Sequence, residues 1–198
     1  MNAPVPAQAL RKGRLKLLLI AAVFAAPIIA AGLLTLTGWQ PEGKAHGQPV
    51  MPQRNLLDEK VRVTLDDGTV YPWRDREPRM TLVAFTGPAC ANRCLQQLAA
   101  IAKARVMLNR NQPRLRLLLL GPTPPGQTVA GNRLTLGANP DASYLLGHDQ
   151  AARLAAFVPG TPDSVSALLV ESNGTALSFY PAGFDAAGLA QDLQKVIR

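Results

Sequence analysis

The sequence predicts an α/β fold, a small mixed β-sheet flanked by helices, carried behind a single N-terminal transmembrane helix. Three observations predict it. Residues 17–39 run for 23 positions without a charge, and a helix crossing a bilayer core needs about 20. Short apolar runs at 80–85, 115–120 and 166–171 alternate with helical spacing after Asn92. Asp66-Asp67-Gly68 and Ser172-Asn173-Gly174 interrupt apolar runs as hairpin turns do.

Composition bounds what these elements can build. The chain has 198 residues, 47% of them hydrophobic, enough for one core once a membrane segment is set aside. The net charge is +8, but Arg11, Lys12, Arg14 and Lys16 stand together ahead of the apolar run and carry half of it. No aromatic residues are interleaved among basic ones, so a nucleic-acid partner is not expected. Two cysteines exclude a disulfide scaffold, and two histidines exclude a histidine-built metal cage.

The basic cluster makes residues 1–16 a cytoplasmic segment and residues 17–39 the anchor, with Trp39 at the far interface and everything after it outside the cytoplasm. In a bacterium this is a single-pass inner-membrane protein with a periplasmic domain. A cleaved signal peptide usually has an apolar region of about 7–15 residues, shorter than this one, so the anchor is expected to be retained. Pro27 and Gly32 are tolerated in a span. Residues 40–55, with Pro41, Gly43, Gly47, Pro49 and Pro52, read as a flexible tether. The folded domain is expected over 56–198.

Within it, 61–65 and 69–71 flank Asp66-Asp67-Gly68 as a β-hairpin. Residues 80–85 form a strand stopped by Thr86-Gly87-Pro88, which leaves Cys90 on a loop. Leu95, Leu98, Ala102 and Val106 recur at helical spacing, so 92–109 is an amphipathic helix. The leucine run at 115–120 fits a strand covered on both faces. Residues 121–141 give no assignment beyond an extended stretch at 133–136, and 142–157 reads as a helix. Residues 166–171 and 175–180 make a second hairpin. Asp185 caps a last helix to residue 198, which buries Leu189, Leu193 and Val196 or Ile197 and ends in Lys195 and Arg198, where cations suit the dipole. A thioredoxin-like layering accommodates this order.

Cys90-Ala-Asn-Arg-Cys94 begins where strand gives way to helix, so orphan amides and the dipole favour a thiolate there, and Arg93 adds a cation. A separation of four on a first helical turn brings the α-carbons to roughly 6 Å, within reach of a disulfide. Four readings are open: reversible thiol–disulfide chemistry, convergence of two thiolates on Cu(I), a structural disulfide closing a tiny loop, or two unrelated buried thiols. Cys90, at the loop–helix junction, is the expected attacking thiol and Cys94 the resolving one.

These features resemble the Sco/SenC family. The resemblance rests on an N-terminal anchor, a hairpin before a strand ending Phe85-Thr86-Gly87, the three residues between Cys90 and Cys94, and a closing 167–174 strand and turn followed by Tyr180-Pro181 and a helix. It implies a thioredoxin-like fold over 56–198 and assistance to cytochrome c oxidase assembly by thiol–disulfide exchange on a copper-site subunit or with other assembly factors. It further implies copper as Cu(I) on Cys90 and Cys94, without catalysis in a chaperone reading. A non-catalytic docking factor is the third possibility. The family's histidine ligand precedes its last strand, where this chain has Pro162-Asp163-Ser164, so Asp163 takes its place and His148 is the other candidate third ligand. A carboxylate is a poor partner for Cu(I). His46, in the tether, is a weaker candidate. The prolines and glycines of 121–141 replace an acidic family segment, so partner contacts made there do not carry over.

Overall fold

A computed structural model describes residues 7–36, 45–74, 76–137 and 139–197. It divides into a unit over residues 1–44 and a unit over residues 45–198. In the first, α1 is one helix, Ala7–Leu36, with Pro27 inside it and Leu17, Ile20, Val23, Phe24 and Ile28 exposed. Among the described residues no helix is long and apolar enough to cross a membrane. Trp39 and residues 40–44 of the expected tether lie outside the described residues, as do the side chains of Arg11, Lys12 and Arg14.

The second unit is built on a mixed sheet with β3 (Met80–Thr86) and β4 (Leu115–Leu120) at its centre. Both runs are apolar almost without a break because both faces are covered. Strand β3 pairs parallel with β4 and antiparallel with β8 (Val165–Val170), which places Val83 between Leu118 and Leu168. β8 turns into β9 (Ala176–Tyr180), so the expected second hairpin forms.

Alternate residues of these strands serve two cores. Leu82, Ala84, Leu117 and Leu119 face α2 (Asn92–Val106) and α3 (Ala186–Val196), meeting Leu98, Ile101, Leu189 and Leu193. Val83, Phe85, Leu118 and Leu120 face the segment holding Leu56, Val63, Tyr71 and Trp73, with Leu154 and Phe157. Each fully buried leucine contributes about 2 kcal/mol through apolar burial. Asp185 caps α3 through the amides of Ala187 and Gly188, and Ile197 is buried while Val196 is not. Arg198 lies outside the described residues.

Elsewhere the chain departs from its expected pattern. Residues 142–157 are not a helix: β7 (Ser143–His148) runs parallel beside β4, and only a 3₁₀ turn, Ala155–Phe157, follows. Ala151, Ala152, Ala155 and Ala156 make the composition helix-like, but Tyr144 and Leu146 alternate with Leu145 and bury on the α2 side of the sheet. The Tyr144 hydroxyl donates to the Leu98 carbonyl at 2.6 Å. Gly147 lies so close to Val63 that a Cβ would stand 2.7 Å from its Cγ1, so this end of the strand requires glycine.

The extended stretch at 133–136 becomes β6 (Arg133–Thr135), paired with β7 and with β5 (Thr128–Ala130) at the sheet's edge. The first hairpin forms around Gly68, with Leu65 and Tyr71 amides donating to Thr69 and Val63 carbonyls. Its strand β2 (Thr64–Leu65) also joins β7. The compact unit starts at Ala45, ahead of the expected boundary at Leu56, because β1 (Gln48–Pro49) adds to the edge of β9. The described part of the expected tether is therefore attached to the domain.

Candidate functional site

Strand β3 ends at Thr86, and residues 87–91 carry the chain to the head of α2. Gly87 permits this turn to touch the loop before β8: a Cβ on it would stand 2.1 Å from the Thr161 carbonyl oxygen. Two backbone bonds stitch the loops together, Gly87 N–H to the Ser164 carbonyl at 3.0 Å and Asp163 N–H to the Ala89 carbonyl at 2.7 Å. Asp163 adopts φ +53°, a left-handed conformation that aspartate tolerates better than most residues.

The junction presents Cys90 and Cys94 joined in a disulfide, α-carbons 5.2 Å apart. The pairing geometry expected from the spacing is met. Exposure separates the two sulfurs' residues: Cys94 is fully buried and Cys90 retains 9% of its surface. Cys90 lies ahead of the helix and Cys94 within its first turn.

Asp163 has a different part from the one expected. Its Oδ1 accepts from the amides of Ala91 (2.8 Å) and Cys94 (2.9 Å), and its Oδ2 from that of Arg93 (3.1 Å). The Cys94 amide is the largest influence holding this carboxyl below its ordinary value, with the Arg93 and Ala91 amides and the Arg93 charge assisting against desolvation. Asp163 is thus the N-cap of α2, supplied from 70 residues away, and not a free metal ligand. It also takes the amides that the sequence reading assigns to a thiolate. One signal pointed to it: α2 has no acidic residue in its first turn, and Ala91 has no capping side chain.

His148 pairs through Nε2 with Asp66 Oδ1 at 2.9 Å and stands exposed at the end of β7. His46 lies against Asp192 of α3, its amide donating at 2.6 Å to Oδ2. Neither completes a copper site with the sulfurs. Among the described residues no cluster of three or more His, Cys, Asp and Glu could hold a metal ion. Two sulfurs, with a committed carboxylate beside them, do not fit the three-ligand copper site that the resemblance implies.

Two concavities flank the junction. An apolar cleft of about 380 Å³ opens at the carboxyl ends of β3, β4 and β7, with Phe85, Pro88, Leu120 and Val158 in its wall. In open α/β sheets this is where ligands bind. A more polar groove of about 510 Å³ runs past Arg93, Gln97, Pro162 and Asp163. The chain carries Cys90 from Pro88, on the first, towards Arg93, on the second.

Residues 80–198 match the family model described as "transmembrane-like, thioredoxin-like, C-terminal domain", and residues 7–38 match "transmembrane-like, N-terminal domain". The chain belongs to this transmembrane-like, thioredoxin-like family. The family assignment and the βαβ unit with its disulfide agree on a thioredoxin-like α/β fold. No curated protein matches the sequence.

Among solved structures, the chain is similar to copper-bound ScoI from Arabidopsis thaliana, at 17% identity over 78% of this chain and 99% of that one, TM-score 0.49. It is also similar to a thiol:disulfide interchange protein, DsbE, from Chlorobium tepidum (13%, 76% and 94%, TM-score 0.42). A third is BsSco, a Sco-family cytochrome c oxidase assembly protein (14%, 68% and 89%, TM-score 0.39). Likenesses this distant leave membership of the Sco family, activity and metal to be argued from the site itself.

Proposed function

We propose that this protein is a membrane-anchored thiol–disulfide exchange protein that works through Cys90 and Cys94 outside the cytoplasm. The observation that carries the reading is the unequal burial of a closed cysteine pair at a strand–helix junction. Cys90 keeps the small exposure that the pair has and Cys94 keeps none, so Cys90 is the sulfur that a partner would meet first. In the reducing direction, the Cys90 thiolate attacks one sulfur of a partner disulfide and expels the other as a thiolate, leaving a mixed disulfide. Cys94, deprotonated, then attacks the Cys90 sulfur and releases the partner's second thiolate. The partner gains two electrons and two protons, and the protein returns to the disulfide seen here. The opposite direction runs through the same mixed disulfide.

The apolar cleft beside Pro88 supports recognition of an unfolded or extended segment around the partner's cysteines. A copper-site subunit of cytochrome c oxidase, or another assembly factor, is the partner that the Sco-like spacing of the cysteines favours. The matched N-terminal segment, with its uncharged run, supports the anchor, and the basic residues ahead of it support a cytoplasmic N-terminus.

Trapping tests the reading. Cys94→Ser should accumulate covalent adducts with the partner on non-reducing gels, because nothing resolves them. Cys90→Ser should accumulate none. Adducts on Cys90→Ser and none on Cys94→Ser would reverse the roles, and none on either variant would remove exchange as the function.

A further inference from the structure

We propose that Asp163 is the positioning residue that keeps Cys90 and Cys94 together once their disulfide has opened, so that the pair closes quickly and releases its partner, a role that rests on the exchange reading and governs its second step. Asp163 binds the chain on both sides of Cys90 and at Cys94. Its amide donates to the Ala89 carbonyl at 2.7 Å, and its carboxylate accepts from the amides of Ala91, Arg93 and Cys94. The residues immediately before and after Cys90 are thus tied to one residue that also holds the backbone of Cys94. None of these four bonds uses a sulfur, so none depends on the disulfide.

The loop that delivers Asp163 is itself braced. The Ser164 hydroxyl donates to the Thr161 carbonyl and accepts from the Thr161 hydroxyl, which closes the loop on itself. The Gly87 amide donates to the Ser164 carbonyl, and the space a Cβ on Gly87 would need is filled by the Thr161 carbonyl oxygen, so the exit of β3 and this loop pack backbone to backbone. Closure of a dithiol is intramolecular, and its rate follows how often the two sulfurs stand within bonding distance. With α-carbons 5.2 Å apart, the pair is held within the span that a disulfide accepts. Without Asp163, the backbone around Cys90 has to be ordered anew at each closure, and ordering one residue's backbone is about a tenfold factor. The charge of Asp163 acts the other way, because a carboxylate beside the thiols disfavours the Cys94 thiolate that must attack. Slower closure on removing Asp163 therefore reports geometry and not charge.

The test mixes the full-length protein in neutral detergent, reduced and freed of reductant, with excess dithiobis-nitrobenzoate, an aromatic disulfide whose released thiolate is coloured. The Cys90 thiolate attacks it and expels one nitrothiobenzoate, giving a mixed disulfide. Cys94, deprotonated, then attacks the Cys90 sulfur and expels the second. The wild type should release both, the second in a phase whose rate does not depend on reagent concentration, and Cys94→Ser should release only the first. Asp163→Ala should slow the second phase about tenfold and leave the first no slower. Asp163→Asn, which keeps one acceptor oxygen, should fall between the two, and it decides the matter where the alanine variant does not fold. Asp185→Ala removes the cap of α3 at the amides of Ala187 and Gly188 and should lower the Tm while leaving both phases unchanged. Closure of the folded Asp163 variant as fast as wild type, or faster, overturns the proposal and leaves exchange standing. Equal slowing in Asp185→Ala does the same, since the effect is then one of general stability. A wild type without a concentration-independent second phase overturns the proposal and the exchange reading together.

Discussion

Asp163 joins the loop before β8 to the first turn of α2 and thereby fixes where Cys90 sits. Three amides converge on its carboxylate, and its own amide holds the Ala89 carbonyl. Replacing it by Ala leaves the amides of Ala91, Arg93 and Cys94 without this partner. Asp163→Ala should therefore lower the Tm and loosen the head of α2, seen as faster hydrogen exchange at Cys94 than at Leu98. Asp163→Asn, which keeps one acceptor oxygen, should fall between the two. Equal Tm and exchange in all three proteins would remove the cap from the account. The pH dependence has a definite sign. The folded-state pKa of Asp163 is depressed, so its contribution is present above the ordinary carboxylate value and is lost as pH falls through the lower folded value.

At the scale of elements, Asp192 of α3 does for the segment before β1 what Asp163 does for α2. The amides of His46 and Gly47 donate to its Oδ2 at 2.6 and 3.1 Å, the Tyr180 hydroxyl adds a bond, and Lys195 stands at 3.4 Å from Oδ1. Burial opposes the charge of Asp192, but the His46 and Gly47 amides, with the His46 ring and Lys195, outweigh it and hold the pKa below the ordinary value. Burial and the Asp192 charge in turn push the Tyr180 phenol up. Asp192→Ala strands two amides and should cost about 2 kcal/mol in urea unfolding. Because the carboxylate is depressed in the folded state, the gap between variant and wild type should be full above pH about 4, the ordinary carboxylate value, and should close as acid protonates Asp192. A gap that widens in acid would contradict this. Nothing in Gly47 and Pro49 foretold this attachment, since a two-residue edge strand has no periodicity to read. The same limit hid β7. Its alternation at Tyr144, Leu145 and Leu146 spans too few residues to outweigh the alanines after it, and only the packing of Tyr144 under α2 reveals the strand.

At the scale of the whole molecule, the legible features were those that repeat over many residues. The leucines of β4 and the stripe of α2 were readable because burial on both faces leaves an unbroken apolar run and burial on one helical face imposes a period, and the turn at Ser172-Asn173-Gly174 because its Asn-Gly step is a local signal. The cysteine pair was readable because its spacing and its place after a strand are both local. The capping role of Asp163 was not legible, because its partners at the head of α2 lie about 70 residues away in sequence, and spacing carries no information about that. The proposed anchor is argued from a local feature too, an uncharged run with basic residues on one side only, and its orientation would decide which compartment the disulfide meets. Intact cells or spheroplasts expressing the full chain should be treated with a mild reductant and a membrane-impermeant maleimide. With the N-terminus inside, Cys90 should be labelled without lysis, and Cys94 should become labelled only after denaturation. Moving the four basic residues to the far side of the run should reverse the orientation and make Cys90 labelling depend on lysis. Labelling of the unaltered chain only after lysis would put the cysteines in the cytoplasm, where a stable disulfide is not maintained, and the exchange reading would lose its compartment.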